Sequence, residues 1–140
     1  MTEGTGEEDS PAAPDVRLED VGELLYRQVH PTWVEDGVPS SQAFAPTRKD
    51  KGKLSIARGR LVTAEDAYRH YTDVLGLSSA GTWAVMVGEA RTTTLESFAE
   101  PLHDDPAHGY IDFRELGRRE SERRAKLLLS HAVDRGRLHP

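Results

Sequence analysis

The segment TWAVMVGE, residues 82–89, holds five consecutive apolar residues after Thr82. An apolar run without polar alternation indicates a strand that is buried on both faces. We therefore predict that this strand lies at the centre of a sheet. Glu89 closes the run directly after Gly88. A carboxylate held at the end of a rigid strand is a candidate catalytic group, but a polar residue is also usual where a strand leaves the core.

Helical patterns lie on both sides of this strand in the sequence. Residues 63–75 start with Thr63 as a helix N-cap, follow helical apolar spacing and end before Gly76. Residues 116–135 show the same spacing up to Gly136. We predict two main helices from these patterns.

Shorter apolar segments complete the predicted sheet. Residues 24–29, 54–58 and 109–113 are short runs of β-favouring residues bounded by turn signals, which is typical of strands. Strands and helices in this order indicate an α+β fold, a single small domain with a mixed β-sheet of about four to five strands. A chain of 140 residues suits one such domain.

The first 15 residues, MTEGTGEEDSPAAPD, combine acidic residues with Ser, Gly and Pro and have no apolar periodicity. This composition is typical of segments that cannot bury enough apolar surface to fold. We predict a disordered acidic tail over residues 1–15 and a folded α+β domain over residues 16–140.

The overall composition limits the classes of protein and of partner. The formal net charge of −6 argues against sequence-independent binding to nucleic acid, which requires many Lys and Arg side chains at phosphates. The absence of cysteine excludes disulfide scaffolds, cysteine nucleophiles and cysteine zinc sites. No apolar run approaches the roughly 20 residues of a membrane helix, and no secretory signal is visible, so we expect a soluble cytoplasmic protein.

No sequence motif indicates a cofactor or a metal. The chain lacks the GxxxxGK[ST] loop that binds phosphates, the HExxH pair that binds zinc and the GxSxG elbow of hydrolases. His103 and His108 flank two acids in HDDPAH, but Asp104 and Asp105 before Pro106 are typical of a turn. We therefore predict neither a cofactor nor a metal.

The segment 31–53, between the first two predicted strands, is a candidate binding loop. It is rich in Pro, Gly, Ser and charge, and loops of this length are often functional, although many are merely flexible. We expect Phe44 to anchor it to the core. The serines after Pro39 fit ordinary turn chemistry or contacts to phosphate and ribose, and the basic stretch 47–60 is either a solvated loop or a phosphate contact. The candidate binding residues of this region are His30, Ser40, Gln42, Arg48 and Lys49.

Arg119 and Arg123 lie with Lys126 beside the apolar stripe of the predicted C-terminal helix. These basic residues form either a solvated helix face, with nearby glutamates as counter-charges, or a surface for an acidic partner. Because the chain has no recognisable catalytic motif, we predict a small protein-binding or accessory module. It would engage a protein partner through the 31–53 loop or this basic helix.

Arg27 is the residue of the first predicted strand that most needs a partner. On a regular strand it shares a face with Leu25 and Val29. An arginine among apolar neighbours requires a carboxylate or an anionic ligand. Arg27 is therefore either paired with an acid of its own fold or part of a ligand site.

The order Arg27, Ser41, Glu89 along the chain resembles the arginine–serine–glutamate pattern of ADP-ribosyltransferases. The resemblance covers only these isolated residues, since the serine motif and the paired-glutamate loop of that family are absent. It implies an alternative function as a small transferase or hydrolase on a nucleotide-like substrate, an oxidised nicotinamide dinucleotide. Arg27 would then hold an anion, Ser40 or Ser41 would provide hydroxyl contacts, and the key carboxylate would be Glu89. Convergence in one cleft would favour this enzyme, whereas separation beside an exposed apolar patch would favour the module.

Overall fold

Short strands and three α-helices make up residues 15–140, the part of the chain that this computed structural model describes. Apart from Asp15, the predicted tail at 1–15 lies outside the described residues. The strands are β1 (Val16–Arg17), β2 (Leu24–Gln28), β3 (Val34–Glu35), β4 (Val38–Pro39), β5 (Lys53–Arg58), β6 (Thr82–Met86), β7 (Ser97–Ala99) and β8 (His108–Asp112). The helices are α1 (Ala64–Arg69), which continues as a π-helical turn over His70–Val74, α2 (Val87–Thr92) and α3 (Arg118–Arg135).

In the described residues, six strands form one sheet in the order β1-β7-β8-β5-β2-β6, and β3 with β4 forms a separate hairpin. Every neighbouring pair is antiparallel. The prediction of a small single-domain α+β fold is confirmed, but the expected mixed sheet of four to five strands is wrong. The two additional strands, β1 and β7, have two and three residues, which is too short for an alternation that the sequence could show.

The apolar run at 82–89 forms an edge strand, not the predicted central one. Its strand ends at Met86, and the following residues, including Glu89, belong to α2. Both faces of β6 are nevertheless buried, because α3 packs on one face and α1 on the other. Its outer edge is covered by the C-terminal segment, since Thr82 N donates to His139 O at 2.7 Å. Arg135 Nη1 also donates to Ala84 O at 2.9 Å, so the edge does not present a row of unpaired carbonyls.

The two faces of the large sheet are covered to different extents. One face, which we call the α3 face, carries the main core of Leu25, Leu54, Val85 and Ile111 beneath α3. Phe44 is fully buried in this core and anchors the 31–53 segment, which is folded into 3-10 turns and the β3–β4 hairpin. The opposite face, the α1 face, has a smaller cluster, in which Tyr26 and Ala84 of the sheet pack against Ala67 of α1. Part of the α1 face therefore remains open.

The helix predicted over residues 63–75 begins where the sequence indicates but changes its winding halfway. Asp66 N donates to Thr63 Oγ1 at 3.1 Å and Thr63 N donates to Asp66 Oδ2 at 3.2 Å, which closes a capping box. After Arg69, the chain widens into a π-helical turn in which Leu75 N donates to His70 O. Such turns occur frequently at functional sites.

The C-terminal helix agrees with its prediction, since α3 spans Arg118–Arg135 and ends at Gly136. Its buried side chains, Ala125, Leu128 and Ala132, face the core. Within residues 15–140, no helix combines the length and apolar composition needed to cross a membrane.

Candidate functional site

The open part of the α1 face forms a cleft of about 560 Å³. Its floor is the surface of β2 and β5, with Tyr26 and Ala57. One wall is α1 with its π-helical turn, including Tyr71, and the other wall is the turn at 102–107. This volume lies within the 300–1,000 Å³ range of small-molecule sites. We call this feature the sheet cleft.

Leucine side chains surround the opening of the sheet cleft. Four of them are between 43% and 55% exposed, although leucine is normally buried. They come from three separate loops, so they are not one exposed helix stripe. Apolar side chains gathered around one concave opening are typical of a binding site, whereas scattered exposed leucines are not. The four residues are Leu61, Leu75, Leu77 and Leu102.

Arg27 lies where β2 and β5 diverge. The two strands pair only at Leu25–Arg58 and Tyr26–Ala57, and the Arg27 side chain occupies the gap that follows. Its Nε donates to Ala43 O at 2.8 Å and its Nη1 donates to Ser55 O at 2.9 Å. The expected carboxylate partner is therefore replaced by two backbone carbonyl oxygens.

Within residues 15–140, the guanidinium of Arg27 has no counter-charge in salt-bridge contact. Among the salt bridges of residues 15–140, none involves Arg27. Burial lowers the pKa of Arg27, and the more distant groups of Tyr71 and Asp50 oppose this effect. The Asp50 carboxylate is already engaged, since Thr47 N donates to it at 2.7 Å. A cation in this environment favours an anionic partner.

Gln28, the next residue of β2, also lines the sheet cleft and is only 9% exposed. Its Oε1 accepts hydrogen bonds from Ser79 Oγ at 2.8 Å and from Thr82 Oγ1 at 3.0 Å. Its Nε2 is buried and has no hydrogen-bond partner among the described residues. An unsatisfied buried donor of this kind costs about 1–3 kcal/mol, so an acceptor on a ligand would be stabilising.

Two imidazoles line the sheet cleft. His70 Nε2 lies 3.0 Å from Asp104 O, which joins the π-helical turn to the turn at 102–107. Because a carbonyl oxygen only accepts, this nitrogen carries the proton. His108 Nδ1 and Nε2 lie 3.1 Å from Glu100 O and 3.2 Å from Ser55 Oγ. The HDDPAH segment forms a turn, as predicted.

Glu89 lies outside the sheet cleft and holds three elements together. Its Oε1 accepts from Met86 N at 2.8 Å at the start of α2. The two terminal nitrogens of Arg135 in α3 donate to its two carboxylate oxygens at 3.0 and 2.8 Å. Burial opposes ionisation, but these hydrogen bonds outweigh it and lower the pKa of Glu89.

Ser41 begins the 3-10 helix Ser41–Phe44, with Ser40 as its N-cap, and neither serine lines the sheet cleft. Of Arg27, Ser41 and Glu89, the cleft therefore includes only Arg27. Arg27 and Ser41 are joined indirectly, because Arg27 bonds the carbonyl of Ala43 in the same 3-10 helix. Catalysis by the three residues stays a prediction.

The other predicted binding residues are distributed over the surface away from the sheet cleft. His30 Nδ1 accepts from Thr32 N at 3.1 Å and caps a short 3-10 helix. Arg123 lies 3.6 Å from Glu120, an exposed pair that contributes little to stability. Binding through these residues also stays a prediction. The remaining members, all exposed, are Gln42, Arg48, Lys49 and Arg119.

Most of the residues that line the sheet cleft were not predicted from the sequence. The helical spacing of residues 63–75 predicts that Leu75 is buried, but it is 43% exposed. The other three rim leucines follow no helical or strand period, and no partner of Gln28 could be read from the sequence. A usable signal was present in the segments GRLVT, LGLSS and EPLHD, where leucines stand within two residues of Gly or Pro in loops. Leu61, Leu77 and Leu102 have no place in a predicted core and indicate an exposed apolar surface.

We expect Glu89→Gln to destabilise the protein at neutral pH, because the Arg135 pair and the α2 cap lose a charged acceptor. A lowered folded-state pKa stabilises above the unfolded value of 4.5, and this contribution is lost as the pH falls through the folded value. The stability difference between wild type and variant should therefore shrink below pH 4.5. Urea unfolding across this pH range measures it. Unchanged stability with loss of an activity would instead support a catalytic Glu89.

Comparison of the chain with protein-family models, with curated proteins and with solved structures found no match. The geometry of the sheet cleft is therefore the feature that bears on function. That geometry combines apolar walls, an opening surrounded by leucines and, as far as the described part of the chain shows, a guanidinium without a carboxylate partner and an amide donor without an acceptor.

Proposed function

We propose that this protein is a binding module that holds a small, largely apolar organic molecule in the sheet cleft. The observation that carries the proposal is the concave apolar surface of about 560 Å³ with its leucine rim. Moving an apolar molecule from water onto such a surface is favourable, by roughly 25 cal/mol for each Å² buried. The β-sheet floor supplies a rigid support, which limits the entropy lost on binding.

The shape of the site favours a small molecule over a protein as the occupant. A stable protein interface buries on the order of 800 Å² on each partner, usually over a broad surface. The sheet cleft is instead bounded by the π-helical turn on one side and the turn at 102–107 on the other. The predicted protein partner of the 31–53 loop or of the basic face of α3 remains a separate hypothesis.

Leu102→Glu tests the proposal against a matched control on another surface. Leu102 is 45% exposed at the rim of the sheet cleft, and Leu127 is 46% exposed on α3. A carboxylate at the rim should weaken binding of the neutral apolar fluorophore N-phenyl-1-naphthylamine by about tenfold, because the bound probe would desolvate the charge. Leu127→Glu should leave the affinity unchanged. Titration followed by fluorescence enhancement measures both.

Either of two results would contradict the proposal. The wild-type protein would fail to enhance the fluorescence of the probe, or both glutamate variants would weaken binding equally. Circular dichroism of each variant checks that the fold is retained, and an exposed position makes a large stability change unexpected in either case.

A further inference from the structure

We infer that the ligand of the sheet cleft carries a carboxylate, which Arg27 and Gln28 bind while its apolar body lies between the leucine-lined walls. This inference rests on the proposed function and specifies the class of ligand: a monocarboxylic acid with an apolar body. It follows from three independent observations, which concern the donors of Arg27, the donor of Gln28 and the acids at the rim.

The first observation is that Arg27 has unused hydrogen-bonding capacity. A guanidinium carries five N–H donors. Within the described residues, two of these donors are used, one on Nε and one on Nη1. The acceptors are the carbonyl oxygens of Ala43 and Ser55, which carry no net charge. A planar carboxylate matches the geometry of a guanidinium and would neutralise its charge.

The second observation concerns Gln28, whose Nε2 is buried and has no acceptor in the part of the chain that the structure describes. Adjacent residues of a regular strand point to opposite faces. The ladder of β2 with β6 continues through Arg27 and Gln28, so their side chains leave the strand on opposite faces. The pairing of β2 with β5 ends at Tyr26, and in the resulting gap Arg27 bonds Ser55 O and lines the sheet cleft, as Gln28 does. One ligand head group with two acceptor oxygens could therefore take a donor from each residue.

The third observation is the charge at the opening of the sheet cleft. Asp66, Asp104 and Asp105 line it together with a single arginine. These acids oppose any anion, and they oppose a dianionic phosphate more strongly than a singly charged carboxylate, because the repulsion grows with the charge of the ligand. One guanidinium and a neutral amide suit a group that carries a single negative charge.

The test compares decanoate with 1-decanol as competitors for bound N-phenyl-1-naphthylamine at neutral pH, where the carboxylic acid is ionised. The two molecules share the alkyl chain and differ in the head group. We expect decanoate to displace the probe from the wild-type protein at about tenfold lower concentration, because hydrogen bonds to charged groups are the stronger ones. Equal displacement would overturn the inference but leave the proposed function intact. Absence of probe binding would instead contradict the proposed function.

Variants of Arg27 test whether this residue is responsible for the preference for decanoate over 1-decanol. In Arg27→Met the advantage of decanoate should disappear, and in the control Arg69→Met, at an exposed position of α1, it should persist. Because Arg27 also bonds Ala43 and Ser55, Arg27→Lys provides a second variant that keeps the charge and should retain part of the advantage. A full advantage in Arg27→Met, or tighter binding of decyl phosphate than of decanoate by the wild type, would overturn the inference.

Discussion

Replacement of Glu23 by alanine is expected to lower the free energy of unfolding by about 3–5 kcal/mol, the range observed when one partner of a buried ion pair is removed. Glu23 is 4% exposed, and its carboxylate accepts from Arg58 Nε at 2.9 Å and from Arg58 Nη2 at 3.0 Å. The backbone amide of Arg60 also donates to it. Its removal would leave the guanidinium of Arg58, largely buried on β5, without a counter-charge.

Asp20→Ala is the matched control, because Asp20 pairs with Arg60 close to the same strand end but in an exposed position. Exposed pairs contribute little, since water and salt screen them. Urea unfolding at neutral pH should therefore show a much larger loss for Glu23→Ala than for Asp20→Ala. Equal losses would contradict the assignment of the Glu23–Arg58 pair as the buried, stabilising one.

Phe44→Ala is expected to destabilise the protein by about 3–5 kcal/mol, the usual cost of truncating a buried aromatic residue. Phe44 is fully buried in the main core, and α3 packs against the 3-10 helix that contains it. The 31–53 segment has few other fully buried apolar anchors, so its attachment to the sheet should also weaken. Since Arg27 bonds the carbonyl of Ala43 in that 3-10 helix, we expect the discrimination between decanoate and 1-decanol to fall as well.

Gln42→Ala changes an exposed residue of the same 3-10 helix and serves as the control. Its unfolding free energy should stay close to that of the wild type. A small effect of Phe44→Ala, similar to that of Gln42→Ala, would mean that the 31–53 segment is attached to the core in a different way.

The sequence predicts those elements that carry a local signal. The capping residue Thr63 and the terminal Gly136 define where α1 begins and α3 ends, because each meets a local requirement of the backbone. The position of β6 in the sheet, in contrast, is not determined by a local signal. Its apolar run reflects burial on two faces, and two helices produce that burial at the edge as well as a central position would.

The sheet cleft was predictable only in part, because it exists where five separate segments meet. Arg27 could be recognised as a residue in need of a partner, since a charged residue in an apolar strand is informative alone. The gap between β2 and β5 that holds its side chain depends on where their pairing ends, which no local pattern determines. The hydrogen bonding of the Gln28 amide is likewise not local, because the hydroxyl that donates to its Oε1 belongs to Ser79, 51 residues away in the sequence.

The most direct test of the account is a map of backbone amide chemical shifts during titration with N-phenyl-1-naphthylamine. If the sheet cleft is the binding site, the largest shifts should occur within residues 55–57, 70–77 and 102–107, which contain many of the residues of its floor and walls. Largest shifts within residues 31–53 or along the exposed face of α3 would contradict the account, and so would an unchanged spectrum.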